Sequence, residues 1–143
     1  INRKADIEGI GKSIDAIGNL IDQIKIKIPT ENILLAGFSQ GGVIAYGAGV
    51  SCSNKLAGIL GLSTYIPKDF KLSHHPANQE TEIFICHGKY DEIVPATLGK
   101  EAKYYFEENG YKVEYTEFEM EHQVTLPQCK QRGDWINSLF SGF

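Results

Sequence analysis

The most restrictive feature of this chain is a short unbroken apolar run at residues 33–38, ILLAGF, followed by a stretch of small residues at 41–48. Apolar runs of this length without alternation are typical of strands buried on both faces of a parallel sheet. Small side chains allow the following helix to pack closely on such a sheet. The two segments therefore predict a strand, a tight turn and a helix within an α/β fold.

Further helical and strand patterns follow one another along the chain. Isoleucines at a spacing of three and four predict a helix over residues 5–25, and Pro29 ends the alternating segment after it, where we expect a loop. Strands are predicted at 57–62, 82–86 and 112–118. Helices are predicted to begin at Pro95, ending before Gly110, and at Pro127. This order predicts a single α/β domain over residues 1–143, a three-layer sandwich with a mainly parallel sheet.

Length, charge and cysteine content exclude several classes of protein. The 143 residues include 14 Lys+Arg and 18 Asp+Glu, a net charge of −4, and no basic stripe that would bind a nucleic acid. The longest apolar runs are far shorter than the roughly 20 residues of a membrane-spanning helix. Cys52, Cys86 and Cys129 are too few and too widely spaced for a disulfide framework or a CxxC metal site. We therefore predict a cytoplasmic protein without nucleic-acid partners or a transmembrane segment.

Residues 37–41, GFSQG, match the G-x-S-x-G pattern at the junction between the first strand and the small-residue helix. A serine hydroxyl is a weak nucleophile, and catalysis requires a tight strand-to-helix turn that holds it clear of the sheet. Gly37 and Gly41 are expected to avoid steric clash in that turn. Ser39 is thus the candidate nucleophile, and the N–H of Gln40 would point at the developing oxyanion. The alternative is a glycine-rich turn that only packs a helix on a strand.

A candidate acid and a candidate base each follow a later strand. Asp91 comes just after the third predicted strand, and His122 comes just after the fourth. Because the carboxyl ends of parallel strands meet at one edge of a sheet, both side chains are expected at the edge that carries Ser39. The chain order serine, acid, histidine is the order found in α/β-hydrolases. The three residues together predict a catalytic triad.

Other polar residues are weaker candidates for these roles. Asp69 lies in the long loop before the third strand, Glu92 lies in the acid loop, and both are expected to be solvated. His87 directly precedes the acid loop and is interpreted as a hydrogen-bonded structural histidine. The pair His74 and His75 has no third ligand at a metal-binding spacing and is interpreted as a surface pair.

These motifs give the chain a resemblance to the phospholipase/carboxylesterase family of α/β-hydrolases, which includes carboxylesterases, lysophospholipases and acyl-protein thioesterases. The most specific matching segment is GFSQGG at 37–42, and the others are LSTYIP at 62–67, HG at 87–88 with Asp91, VP at 94–95, and Met120 with His122. The resemblance covers nearly the whole chain. It implies the α/β-hydrolase fold, hydrolysis of carboxylic esters or thioesters of small or lipid-like acyl groups, and no metal or organic cofactor.

The same resemblance implies a role for individual residues. Ser39 would be the nucleophile, His122 the general base and acid, and Asp91 the carboxylate that orients it. The backbone N–H of Gln40 would be one oxyanion donor. The stretch around Ile66 would line the acyl pocket.

The chain departs from the family pattern in two places. Glu121 stands where the family usually has a glycine, directly before the histidine. The family's second oxyanion donor comes from an HGxG loop after an early strand, and nothing before Ser39 matches that loop. We therefore expect that an N-terminal part of the domain is missing and that the chain forms the C-terminal two-thirds of the fold.

Two other classes of function fit part of the pattern. A non-catalytic remnant or binding module would keep the fold without an activated serine. A flavodoxin-like domain would bind a phosphate at the start of the helix near Gly41. Under this second alternative, the placement of Asp91 and His122 would be a coincidence.

Overall fold

A computed structural model describes residues 3–123 of the chain, and the helix predicted from Pro127 lies outside them. The described elements are α1 (Arg3–Ile24), β1 (Leu34–Phe38), α2 (Gln40–Ser51), β2 (Gly58–Leu62), β3 (Ile83–Gly88), α3 (Ala96–Glu108) and β4 (Val113–Phe118). Single 3₁₀ turns lie at Thr30–Asn32 and Pro76–Asn78. The predicted order of helices and strands is confirmed over this range, and residues 25–28 are not a strand.

The four strands form one sheet in the order β1-β2-β3-β4, and every neighbouring pair is parallel. The ends of the strands are nearly in register, since Phe38 pairs with Leu62, Leu62 with Cys86, and Gly88 with Phe118. The residues that follow β1, β3 and β4 therefore lie at the same edge of the sheet. The prediction of a mainly parallel sheet is confirmed.

Both faces of the inner strands are packed with apolar side chains. On one face, Ile59 and Ile85 contact Tyr46 of α2 and Phe106 of α3 in one core cluster. On the other face, alternate strand residues, among them Leu60, form a second cluster. Strands β2 and β3 are buried at every position, which is why their sequences are apolar without alternation. Burial on both faces was also expected for β1, and this prediction is wrong: Ala36 and Phe38 are exposed, because β1 lies at the edge of the described sheet with β2 as its only neighbour there.

Helix α2 has small residues because it lies between two neighbours at close range. A Cβ added at Gly47 would lie 2.2 Å from Ile14 of α1, and one at Gly49 would lie 2.4 Å from Ile59 of β2. Larger side chains at these positions would push α1 or the sheet away. The close packing inferred from the sequence is confirmed.

Two local predictions at α3 are confirmed, and one at β3 is corrected. Pro95 precedes the first turn of α3, and Gly110 ends the helix region with a φ of 84°. Strand β3 was expected to stop at residue 86 but continues through His87 and Gly88, because both residues pair with β4. His87 therefore belongs to the sheet and not to the loop that follows. Within residues 3–123, no helix is long and apolar enough to cross a membrane.

His74 connects the loop between β2 and β3 to the end of α3. Its Nδ1 lies 2.7 Å from the hydroxyl of Tyr111, and its Nε2 lies 2.6 Å from the hydroxyl of Tyr105. A neutral imidazole has one donor and one acceptor, so one tyrosine donates to the ring and the other accepts from it. Burial lowers the pKa of His74 and raises the pKa values of both tyrosines. The neutral forms are thus favoured in the folded protein.

This arrangement predicts a pH-dependent contribution of His74 to stability. As the pH falls below the ordinary histidine pKa of about 6.5, the unfolded chain gains a proton on His74 before the folded protein does. The free energy of unfolding therefore decreases as the pH falls. Urea unfolding of the full-length protein between about pH 5 and pH 7.5 should show a weaker pH dependence in His74→Gln than in wild type. The same pH dependence in both proteins would contradict this assignment.

Candidate active site

Ser39 occupies a turn of a single residue between the end of β1 and the start of α2. Its φ of 56° and ψ of −125° lie where residues with a side chain are rarely found. The Ser39 N–H donates to the carbonyl of Leu62 at 2.9 Å, and the Thr64 hydroxyl donates to the Ser39 carbonyl at 2.5 Å. The Ser39 side chain makes no capping hydrogen bond to α2. Its hydroxyl is therefore left for another partner.

Glycines near this turn allow the backbone to fold back on itself. A Cβ at Gly37 would lie 2.0 Å from the carbonyl oxygen of Gly41, and a Cβ at Gly42 would lie 2.5 Å from the side chain of Thr64. A Cβ at Gly41 would meet nothing within 4 Å among the described residues. The steric reason expected for both flanking glycines therefore holds for Gly37, whereas on the helix side it applies to Gly42.

The three predicted triad residues lie in one line of hydrogen bonds. His122 Nε2 lies 3.1 Å from the Ser39 hydroxyl, and His122 Nδ1 lies 2.6 Å from Asp91 Oδ2. A carboxylate only accepts, so the short contact places the imidazole hydrogen on Nδ1. Nε2 of the neutral ring is then an acceptor that faces the serine O–H. This is the geometry a general base requires.

The Asp91 carboxylate is buried and is held by the backbone of its own loop. Its Oδ1 accepts from the N–H groups of Ile93 at 2.9 Å and Val94 at 2.8 Å, and the Asp91 side chain is 0% exposed. Buried charges are costly unless they are hydrogen-bonded, and these two donors offset part of that cost. They also leave Oδ2 directed at His122.

The loop that carries His122 runs alongside the loop that carries Asp91. The Tyr90 N–H donates to the carbonyl of Met120 at 3.1 Å. A Cβ at Gly88 would lie 2.3 Å from the carbonyl oxygen of Glu121, so only glycine permits this approach. Glu121 itself is exposed. The histidine ring then packs on Phe38, with ring centroids 4.6 Å apart.

Some of these supporting residues were not singled out from the sequence. Thr64 and Gly88 lie in segments that carry the family resemblance, but nothing in their local pattern indicates contact with the turn at Ser39 or with the carbonyl of Glu121. Phe38 was expected to be a buried strand residue, and it is 38% exposed and contacts the imidazole instead. Each of these roles depends on a residue that is close in space but distant in the chain, so no local sequence pattern indicates it.

The Gln40 N–H belongs to the first residue of α2, next to the Ser39 hydroxyl in the chain. The first N–H groups of a helix have no acceptor within the helix, and the helix dipole makes this end electropositive. A negative oxygen formed beside Ser39 would be stabilised there. The assignment of Gln40 as an oxyanion donor stays a prediction.

Ile66 is one of the residues that line a cavity of the described structure. The cavity, of about 300 Å³, is lined by Ile7 and Ile10 of α1, by Tyr65 and Ile66, and by Leu98 of α3, with charged residues at 6, 68, 69 and 101. The residues that line it do not include the triad. Among the lining residues, Tyr65 directly follows Thr64, whose hydroxyl donates to the Ser39 carbonyl.

The weaker candidates lie away from the line of triad hydrogen bonds or support it indirectly. Asp69 and Glu92 are exposed, as expected. His87 is fully buried and hydrogen-bonded, as expected for a structural histidine. His75 Nδ1 accepts from the N–H of Ala77, so this histidine caps a short turn. Among residues 3–123, no group of three or more His, Cys, Asp or Glu could hold a metal ion.

Comparison with solved structures identifies the class of protein. The chain is similar to Arabidopsis thaliana SOBER1, with a TM-score of 0.85 and 24% identity over 92% of this chain and 65% of that one. It is also similar to the Bacillus cereus carboxylesterase, with a TM-score of 0.79 and 21% identity over 93% of this chain and 63% of that one. The structure therefore has the α/β-hydrolase fold, a parallel sheet with flanking helices.

Sequence comparison identifies the family within this class. The family model described as Phospholipase/Carboxylesterase matches residues 1–137, so the chain belongs to this family. Acyl-protein thioesterase 1 of Gibberella zeae is 42% identical over 116 residues, which are 78% of this chain and 49% of that protein. The chain spans about half the length of the relatives it matches. The resemblance noted in the sequence is confirmed.

The turn at Ser39 gives a first mutational prediction. Gly37→Ala should destabilise the full-length protein by about 3 kcal/mol or more, because its Cβ would overlap the backbone at Gly41. The matched control Gly41→Ala adds the same methyl where no described atom lies within 4 Å apart from its chain neighbours and the backbone of its own helix. This control should change stability by less than about 1 kcal/mol. Urea unfolding measures both, and equal losses would show that the steric asymmetry is wrong.

Proposed function

We propose that this protein is a serine hydrolase that cleaves carboxylic esters or thioesters through an acyl-enzyme on Ser39. The observation that carries the proposal is the line of hydrogen bonds from Ser39 through His122 to Asp91, at 3.1 and 2.6 Å. Ser39 lies in a strand-to-helix turn at the carboxyl edge of a parallel sheet, and this fold carries its nucleophile at such a turn. The names of the relatives, acyl-protein thioesterase and carboxylesterase, support the same chemistry.

The first step is acylation of the serine. Ser39 Oγ attacks the carbonyl carbon of the substrate while His122 Nε2 takes the hydroxyl proton. The Asp91 carboxylate accepts from Nδ1 and stabilises the imidazolium that forms. The carbonyl oxygen becomes an oxyanion, which the Gln40 N–H and the positive end of α2 stabilise.

Collapse of this intermediate breaks the bond to the leaving group. The imidazolium of His122 returns its proton to the departing alcohol or thiol, which leaves the acyl group on Ser39. Water then repeats the sequence, with His122 again acting as base, and releases the carboxylic acid. No cofactor takes part in these steps, since proton transfer and oxyanion stabilisation come from side chains and backbone.

We assign acyl binding to the cavity that Ile66 lines. Its walls are mainly apolar, and its volume of about 300 Å³ is at the lower end of the range for small-molecule pockets. The charged residues at positions 6, 68, 69 and 101 also line the cavity. A lipid-like acyl chain would bury its methylenes against the isoleucines while its ester end lies toward Ser39.

We also place this activity in the cytoplasm. Cys52 is a free cysteine, and the three cysteines of the sequence are too widely spaced for a disulfide framework. Reduced cysteines are usual in a reducing compartment.

The role of Ser39 is tested with Ser39→Ala in the full-length protein. Hydrolysis of a p-nitrophenyl ester should fall by about 10⁴- to 10⁶-fold, because the nucleophile is lost. A fluorophosphonate probe should label wild type and not the variant. The matched control is Ser51→Ala, since the Ser51 hydroxyl donates to carbonyls of its own helix, at Gly47 and Ala48. Turnover retained by Ser39→Ala, or a wild type that does not react, would favour a binding module with this fold.

The pocket assignment is tested with Ile66→Trp. The larger side chain should fill part of the cavity and lower kcat/KM for a long-chain p-nitrophenyl ester at least about tenfold relative to the acetate ester. The matched control is Ile26→Trp, because Ile26 is 81% exposed beyond the end of α1. An unchanged chain-length profile in Ile66→Trp would refute the pocket.

A further inference from the structure

His87 is a fully buried imidazole that the proposed reaction does not use. It is the fifth residue of β3, and its ring is 0% exposed. Its Nε2 lies 2.6 Å from the carbonyl oxygen of Val94. Because a carbonyl can only accept, Nε2 must carry the hydrogen. The same nitrogen lies 3.7 Å from Asp91 Oδ2, the oxygen that contacts the triad histidine.

Val94 links His87 to the triad acid. Its carbonyl accepts from His87, and its N–H donates to Asp91 Oδ1 at 2.8 Å. Asp91 Oδ2 in turn accepts from His122, which faces Ser39. The hydrogen-bonded line of the triad therefore continues through the backbone of residue 94 and ends at His87.

The other side of the His87 ring is fixed by α3. A Cβ at Gly99 would lie 2.5 Å from His87 Nδ1, so the ring fits against a helix position that has no side chain. Nδ1 has no hydrogen-bond partner among residues 3–123. The hydrogen bond to Val94 and the packing at Gly99 together hold the ring with its Nε2 hydrogen directed at the Val94 carbonyl.

We propose that His87 is a positioning residue for Asp91, an inference that rests on the function proposed above. By holding Val94 it keeps the 91–94 turn closed, so that the N–H groups of that turn remain on Oδ1. Its own N–H dipole, 3.7 Å from Oδ2, favours the negative carboxylate in the orientation that meets His122. Without this contact the carboxylate would shift, and His122 would lose the alignment that proton transfer requires.

Two substitutions at His87 separate positioning from simple packing. The amide nitrogen of Gln reaches about as far from the backbone as Nε2 of histidine, whereas that of Asn reaches only as far as Nδ1. In the full-length protein, His87→Asn should lower kcat about 10²-fold with KM changed less than about threefold. His87→Gln should recover at least about tenfold of the loss, because it restores a donor to the Val94 carbonyl.

The matched control is Ile85→Val, which removes a buried methylene from the same face of β3 without touching the acid loop. It should lower the Tm and leave kcat unchanged. Wild-type kcat in His87→Asn would overturn the proposal. The proposal would also be overturned if the two variants lost kcat equally and in parallel with their Tm. Such a result would indicate that His87 acts through packing alone.

Nuclear magnetic resonance tests the proposal without turnover. Ring ¹⁵N shifts of wild type should show a hydrogen on Nε2 of His87, and an Nε2 without a hydrogen would overturn the inference. The low-field proton between His122 and Asp91 should persist in His87→Gln and shift or vanish in His87→Asn. If wild type neither hydrolyses esters nor reacts with a fluorophosphonate, the proposed function fails. The spectra would still show whether His87 holds Asp91 in its contact with His122.

Discussion

Parallel pairing of the four strands is the constraint on which the site depends. Because Phe38, Leu62, Cys86 and their neighbours end nearly in register, the residues that follow β1, β3 and β4 reach one edge of the sheet. Ser39 and His122 are 83 positions apart in the chain, yet their polar atoms lie 3.1 Å apart. No local preference could produce this meeting. It follows from the hydrogen bonds of the sheet and from apolar packing on both of its faces.

The turn at Ser39 is held in a rare backbone conformation by contacts from the neighbouring strand. The carbonyl of Leu62 and the hydroxyl of Thr64, both at the end of β2, bind the N–H and the carbonyl of Ser39. Gly37 and Gly42 remove the Cβ atoms that would prevent these contacts. A strained residue persists only where its surroundings hold it. In this conformation the Ser39 hydroxyl lies 3.1 Å from His122 Nε2.

The buried carboxylate of Asp91 connects the packing of the fold to the chemistry. Its two oxygens have separate tasks: Oδ1 binds the backbone of the acid loop, and Oδ2 binds His122. His87 of β3 holds the same loop through its hydrogen bond to the carbonyl of Val94. A change in the acid loop or at the end of β3 is therefore expected to move the Asp91 carboxylate relative to His122.

The sequence by itself determined the kind of structure and the chemistry to look for. Apolar runs without alternation predicted buried parallel strands, the G-x-S-x-G pattern located the turn, and chain order paired Ser39 with Asp91 and His122. Tertiary structure alone decided the rest: that β3 extends through His87, that the steric need for glycine on the helix side lies at 42, and that Gly88 admits the carbonyl of Glu121. Patterns along the chain report which faces are buried, whereas these contacts join atoms from different strands, and only the packed fold sets their distances.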